Sequence, residues 1–178
     1  TENSSIPSAS ENQAKYMVLL ENDTVVVYEI VDWKKYLTAV LLFNAAGFLI
    51  LFLSLLCQKW LPLNPAGTEN MRWDIALNTA ISFMTNTNLQ HYSGESGLSY
   101  LSQMLVIIFM MFVSAASGYA ACIAFIRGLT GKTKDDVGNF FADLTRITTR
   151  LLLPFSIVGG LLLVWQGGPQ NFDANIVV

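Results

Sequence analysis

Trp73-Asp74-Ile75-Ala76-Leu77-Asn78-Thr79-Ala80-Ile81-Ser82-Phe83-Met84 reads as a short helix, and Thr85-Asn86-Thr87-Asn88-Leu89-Gln90 after it reads as a polar extended strand. Ile75, Leu77, Ala80, Ile81 and Met84 recur at helical spacing, and Asp74 falls in the first turn, where the helix dipole favours an anion. Twelve residues give about 18 Å of helix. That is too short for a bilayer, which takes roughly 20 residues. An apolar helix that enters and returns on one side is re-entrant, and such a segment is tolerated only inside protein or along an aqueous cavity. The strand behind it is polar but uncharged, so at membrane depth its carbonyls need a partner. A partly dehydrated cation is one such partner, and the negative end of the short helix points at the same spot. An extracellular amphipathic hairpin with polar capping residues fits the same layout.

Outward from this stretch lie three runs without Asp, Glu, Lys, Arg or His, at residues 36–58, 99–126 and 151–168. Each such residue at a helix centre would cost about 2.5–3.5 kcal/mol, so these runs are the expected transmembrane helices. The third carries Pro154 and Gly159-Gly160, and a kink is expected near its start. The whole chain of 178 residues is 53% hydrophobic and 13% charged, with a mean hydropathy of +0.46. Soluble domains carry about a quarter charged residues. The composition excludes a nucleic-acid binder and an ordinary soluble enzyme, and Cys57 and Cys122 offer neither a disulfide framework nor metal spacing. Lys34, Lys35, Arg127, Lys132, Lys134, Arg146 and Arg150 flank one side of the spans, against Lys59 and Arg72 on the other. The positive-inside rule then places residues 1–31 and 127–150 in the cytoplasm and loop 59–95 outside. Residues 1–31 are expected as a polar and largely mobile segment, and residues 127–150 as an amphipathic connection with a helix opening at Asp135-Asp136. Asn44 and Gly47 suggest an interhelical hydrogen bond and a close contact. Ser114, Gly118 and Cys122, four apart, with Ala115, Ala116, Ala120 and Ala121 beside them, suggest a packing face of small residues.

The residues from Asn78 to Glu95 closely resemble the first pore segment of the KdpA family, the potassium-translocating subunit of the bacterial Kdp ATPase. The resemblance extends to Asp32-Trp33-Lys34-Lys35-Tyr36, Leu61-Pro62-Leu63-Asn64-Pro65, Leu98-Ser99-Tyr100-Leu101-Ser102-Gln103-Met104, Ser114-Ala115-Ala116-Ser117-Gly118 and Asp143-Leu144-Thr145-Arg146-Ile147-Thr148. These blocks follow the family's order across residues 32–172.

The resemblance implies an all-α membrane protein of the bacterial inner membrane. Its first pore unit, residues 32–126, would be potassium-channel-like, with two spans, a re-entrant pore helix 73–84 and a filter strand 85–90. One further transmembrane helix would follow. It implies that the family selects K+ outside through four such units and passes it to KdpB, the P-type ATPase subunit, with KdpC and KdpF completing the complex. On that match Thr85, Asn86, Thr87 and Asn88 are the filter residues of the first unit, and Gln90 is the polar residue at its mouth. Leu89 stands where the family commonly has Trp, and His91 where a small residue is usual. The strand also lacks the glycines that ease left-handed backbone in potassium filters. The resemblance covers the first part of a longer family protein without its leading helix, so a fragment is expected, holding one filter quarter. No phosphate loop or P-type phosphorylation motif occurs here, so ATP hydrolysis is expected in a partner. The alternatives are a self-assembling passive potassium channel of four copies and a structural subunit whose short helix only packs.

Overall fold

The computed structural model describes residues 15–21, 24–131 and 137–167. Its first long helix, α1, runs Trp33–Leu56, capped by the Asp32 carboxylate on the Lys35 amide at 2.9 Å. A 3₁₀ turn, Gln58–Trp60, ends it. Pro62 and Pro65 then forbid helix, and Asn64 closes the loop by accepting from the Thr68 amide (2.8 Å) and donating to the Thr68 carbonyl (3.0 Å). The short helix α2 spans Trp73–Met84 and a single turn, α3, spans Gly94–Gly97. The second long helix, α4, runs Tyr100–Thr130, and the third, α5, runs Phe140–Trp165. All three long helices are long and apolar enough to cross a membrane. Their outward faces leave Leu41, Ile50, Phe125, Phe155 and Leu161 exposed, a surface suited to lipid or to further helices.

Two apolar clusters hold the helices together. At one end α2 presses Ala76, Ala80, Phe83 and Met84 against Leu51 and Leu55 of α1 and Val106 and Met110 of α4. At the other end Tyr36 of α1, Ala116, Ala120 and Ala124 of α4, and Phe140 and Ile147 of α5 form the second. Phe140 meets Tyr36 and Phe43 edge-on, with ring centroids 5.7 and 5.4 Å apart. Asn44 donates to the Ser117 hydroxyl at 3.3 Å, and a side chain at Gly47 would collide with Met84 and Met110.

Several expectations are corrected. Within residues 1–31, expected as a polar and largely mobile segment, Lys15–Glu21 and Thr24–Ile30 pair antiparallel from Lys15↔Ile30 to Glu21↔Thr24. Thr24-Val25-Val26-Val27-Tyr28 is a β-branched and aromatic run of the kind strands favour. The separate connection 127–150 is also revised. Its first part belongs to α4, and Phe140–Arg150 is already the opening of α5, capped by Asn139 on the Phe141 and Ala142 amides. The apolar positions Phe140, Ile147 and Leu152 continue straight into the third run, so nothing stops the helix at residue 150. Widened π-type turns occupy Ile147–Leu152 of α5. Pro154 follows there, and it removes the amide that would bond the Arg150 carbonyl. A second widened stretch lies at Gln103–Phe109 of α4. On α4 the packed small residues are Ser114, Ala116, Ala120 and Ala124, whereas Gly118 and Cys122 are exposed. Nothing among the described residues lies within 4 Å of a side chain built at Gly118, and Cys122 is exposed. Asp135-Asp136, Gly168 and residues 1–14 lie outside the described residues.

Candidate ion-binding segment

The path from α2 to α3 dips between the long helices and returns. The chain enters where the Met71 amide bonds the Leu55 carbonyl, at the end of α1. Thirteen residues on, Met84 lies against Gly47, about two turns down α1, and against Met110 within α4. By Gly97 the chain is back at its starting end, where the fully buried Gln58 amide donates to the Gly97 carbonyl (3.0 Å) and to the Glu69 carbonyl (2.7 Å). Gln58 thus clamps both ends of the excursion. Sequence reasoning passed over it as the last residue of an apolar run. Its fixed place, five residues before Leu63 and just ahead of the prolines, was the available signal.

Thr85, Asn86, Thr87, Asn88 and Gln90 lie together on the ascending strand, with Asn88 half-buried and the other four exposed. Asn86 and Asn88 have φ of +57° and +58°, while Thr85, Thr87 and Leu89 do not, so the sign of φ alternates along the strand. Asn is the residue other than glycine that enters the left-handed region most readily. Two asparagines thus take here the left-handed conformations that glycine eases.

Three consecutive backbone amides turn one way. Ser82, one turn back in α2 and 94% buried, accepts the Thr87 amide (2.9 Å) and the Asn88 amide (3.2 Å) on its carbonyl. Its hydroxyl accepts the Leu89 amide at 2.6 Å. A trans peptide is planar, with its C=O opposed to its N–H. Fixing those three amides on Ser82 therefore aims the carbonyls of Asn86, Thr87 and Asn88 away from α2. No hydrogen bond from a described residue ends on the carbonyls from Thr85 to Gln90.

Side chains brace the strand from both ends. The Thr85 and Thr87 hydroxyls lie 2.8 Å apart, and Thr85 also donates to the Ile81 carbonyl at 2.9 Å. At the deep end the Ser114 hydroxyl of α4 reaches the Asn86 side-chain oxygen at 3.4 Å. At the shallow end Gln90 donates to the Tyr92 hydroxyl at 3.5 Å. Burial pushes the Tyr92 phenol up to about 12, partly offset by the Gln90 bond, so it acts as a neutral hydroxyl. Leu89 and His91 both point outward, exposed. The C-terminus of α2 carries no basic residue in its last turn, so no cationic side chain there offsets its negative end beside the strand. Among the described residues no three His, Cys, Asp or Glu side chains gather to hold a metal. The donors offered here are neutral oxygens.

Three membrane-length helices, with a short helix and a carbonyl-presenting strand folded between the first two, define a helical membrane protein. Residues 13–178 match the KdpA family, described as the potassium-transporting ATPase A subunit, and the chain belongs to that family. A potassium-transporting ATPase potassium-binding subunit from Caldanaerobacter subterraneus is 55% identical over 150 residues, covering 84% of this chain and 27% of that protein. The protein of the same description from Gloeobacter violaceus is 56% identical over 144 residues, 81% of this chain and 24% of its own. That from Pseudomonas syringae is 54% identical over 141 residues, 79% and 25%. The chain spans about a quarter of the length of these relatives.

Proposed function

We propose that Thr85–Gln90 forms one wall of a potassium filter, in a subunit that binds K+ and passes it to an ATP-hydrolysing partner. The observation that carries this reading is the alternating backbone at Asn86 and Asn88, with amides turned onto Ser82 and carbonyls that accept from no described residue. Rows of neutral carbonyl oxygens replace the hydration shell of a monovalent cation. Carboxylate-rich sites suit Ca2+ or Mg2+, and thiolate or imidazole sites suit transition metals. With a quarter of the relatives' length, the chain supplies one wall, and the other walls come from further pore units. By family membership the ATPase partner is KdpB, with KdpC and KdpF, in the bacterial inner membrane. The uneven Lys and Arg distribution supports loop 59–95 facing outward and 127–150 facing the cytoplasm.

Backbone substitutions test this in the complete transporter carrying this sequence, assembled with its ATPase partner. Asn86→Gly and Asn88→Gly keep access to positive φ, whereas Asn86→Ala and Asn88→Ala incur about 1–2 kcal/mol there. The alanine variants are expected to raise the apparent KM for K+-stimulated ATPase activity about tenfold, and the glycine variants to stay near the parent. Equal behaviour of the alanine and glycine pairs would remove the backbone from potassium binding. Uptake that persists without ATP would instead favour the passive four-copy channel.

A further inference from the structure

Three consecutive amides converge on one residue, and Ser82 reaches them by two different means. Its carbonyl takes Thr87 and Asn88, and that part any residue at position 82 supplies. Its hydroxyl takes Leu89, and that part only the side chain supplies. The Leu89 amide has no other acceptor among the described residues, and the Ser82 side chain sits under the strand with 6% of the residue exposed. Because the Leu89 N–H and the Asn88 C=O share one peptide plane, the hydroxyl fixes the direction of the outermost of the three carbonyls. Asn88 holds a positive φ at the same joint, and its side-chain amide donates to the Asn86 side-chain oxygen at 3.4 Å. Its side-chain oxygen is buried without a partner, and no other hydrogen bond from a described residue falls on that peptide plane.

We infer that Ser82 is a positioning residue for cation selectivity: its hydroxyl locks the Asn88–Leu89 peptide so that the Asn88 carbonyl stays aimed at the ion path. This rests on the filter reading above. Without the hydroxyl, the Leu89 amide turns to find another acceptor and the Asn88 carbonyl swings with it. One oxygen is then lost from the set that replaces the hydration shell, and the smaller, more tightly hydrated Na+ is rejected less well. The carbonyls of Asn86 and Thr87 stay fixed, since the backbone of residue 82 still holds their planes.

The test is Ser82→Ala in the assembled transporter, with Ser82→Thr as the variant that keeps a hydroxyl, read as K+-stimulated ATPase activity with and without competing Na+. Ser82→Ala is expected to raise the apparent KM for K+ about tenfold, the scale of a buried donor losing its acceptor. Inhibition by Na+ is expected to strengthen while the maximal rate at saturating K+ stays within about twofold, and Ser82→Thr is expected to recover the parent's Na+ response. Parental KM and Na+ response in assembled Ser82→Ala overturn the inference. So does failure of Ser82→Ala to assemble where Asn86→Gly and Asn88→Gly do assemble, since the hydroxyl then serves folding rather than aim. If the Asn86 and Asn88 variants respond and Ser82→Ala does not, only this inference falls. If none respond, the filter reading falls with it.

Discussion

Gly138 shows how much one residue decides where the hairpin meets the helices. Its φ is +101°, outside the range of L side chains, and its carbonyl accepts the Val31 amide at 3.0 Å. A Cβ there would run into the guanidinium of Arg127, which passes over the glycine on its way to Asp143. Backbone strain of this kind costs about 1–3 kcal/mol before any collision is counted. Gly138→Ala is therefore expected to lower the thermal unfolding temperature of the detergent-solubilised protein by several degrees. Gly128→Ala, a helical glycine with open space around it, serves as the control and leaves that temperature unchanged or raised. A Gly138→Ala protein as stable as the parent would mean that Arg127 has another seat.

Among the elements, α2 was open to reading because Ala80, Met84 and their neighbours repeat at the helical period and Asp74 marks the first turn. The left-handed turns at Asn86 and Asn88 were written in the residues too. Glycine is the usual sign of such turns, but asparagine serves the same conformations and carries no comparable signature in the sequence. Ser82 was hidden by its own periodicity: it belongs to a helix, and nothing local says that three amides will fold back onto it. The amphipathic segment closed by Arg146 and Arg150 and the apolar run after it form one helix, because a helix carries such side chains where they find partners. Gly47 was read as a close contact, and the structure shows what depends on it. Its missing side chain leaves room for Met84, the last residue of α2, and so sets the depth of the strand that follows. Methionine ends are flexible, so Gly47→Ala is expected to cost under about 1 kcal/mol. Gly47→Leu overpacks the site by about 1–3 kcal/mol and lifts Met84. The apparent KM for K+ is expected to rise severalfold for Gly47→Leu and to stay near the parent for Gly47→Ala. A parental KM in Gly47→Leu would disconnect this contact from the strand.

Across the whole molecule, the three long helices are tied at the end opposite the strand by one polar knot. Asp143 of α5, 4% exposed, takes both guanidinium nitrogens of Arg127 from α4, at 2.6 and 3.0 Å. Tyr36 of α1 donates to the Ala120 carbonyl of α4 at 2.8 Å and reaches the same carboxylate at 3.2 Å. Arg127 also donates to the Val137 carbonyl, so Val137, just ahead of α5, is held as well. A bidentate pair in an apolar setting fixes geometry more surely than it adds stability, because desolvation offsets the attraction. Removing one partner is different, since the other charge stays behind without compensation, at about 3–5 kcal/mol for a buried pair. Arg127 retains about a third of its side-chain exposure, which puts the expected loss toward the lower end. Asp143→Ala and Arg127→Ala should each lower the thermal unfolding temperature markedly. The double variant Arg127→Met with Asp143→Leu should recover a large part of the loss, because neither charge is left buried. A double-mutant cycle on the solubilised protein reads this directly: losses that simply add would show that the two side chains do not act as a pair. If they do act as one, the end of the molecule farthest from the candidate filter is where α5 is locked to the first two helices.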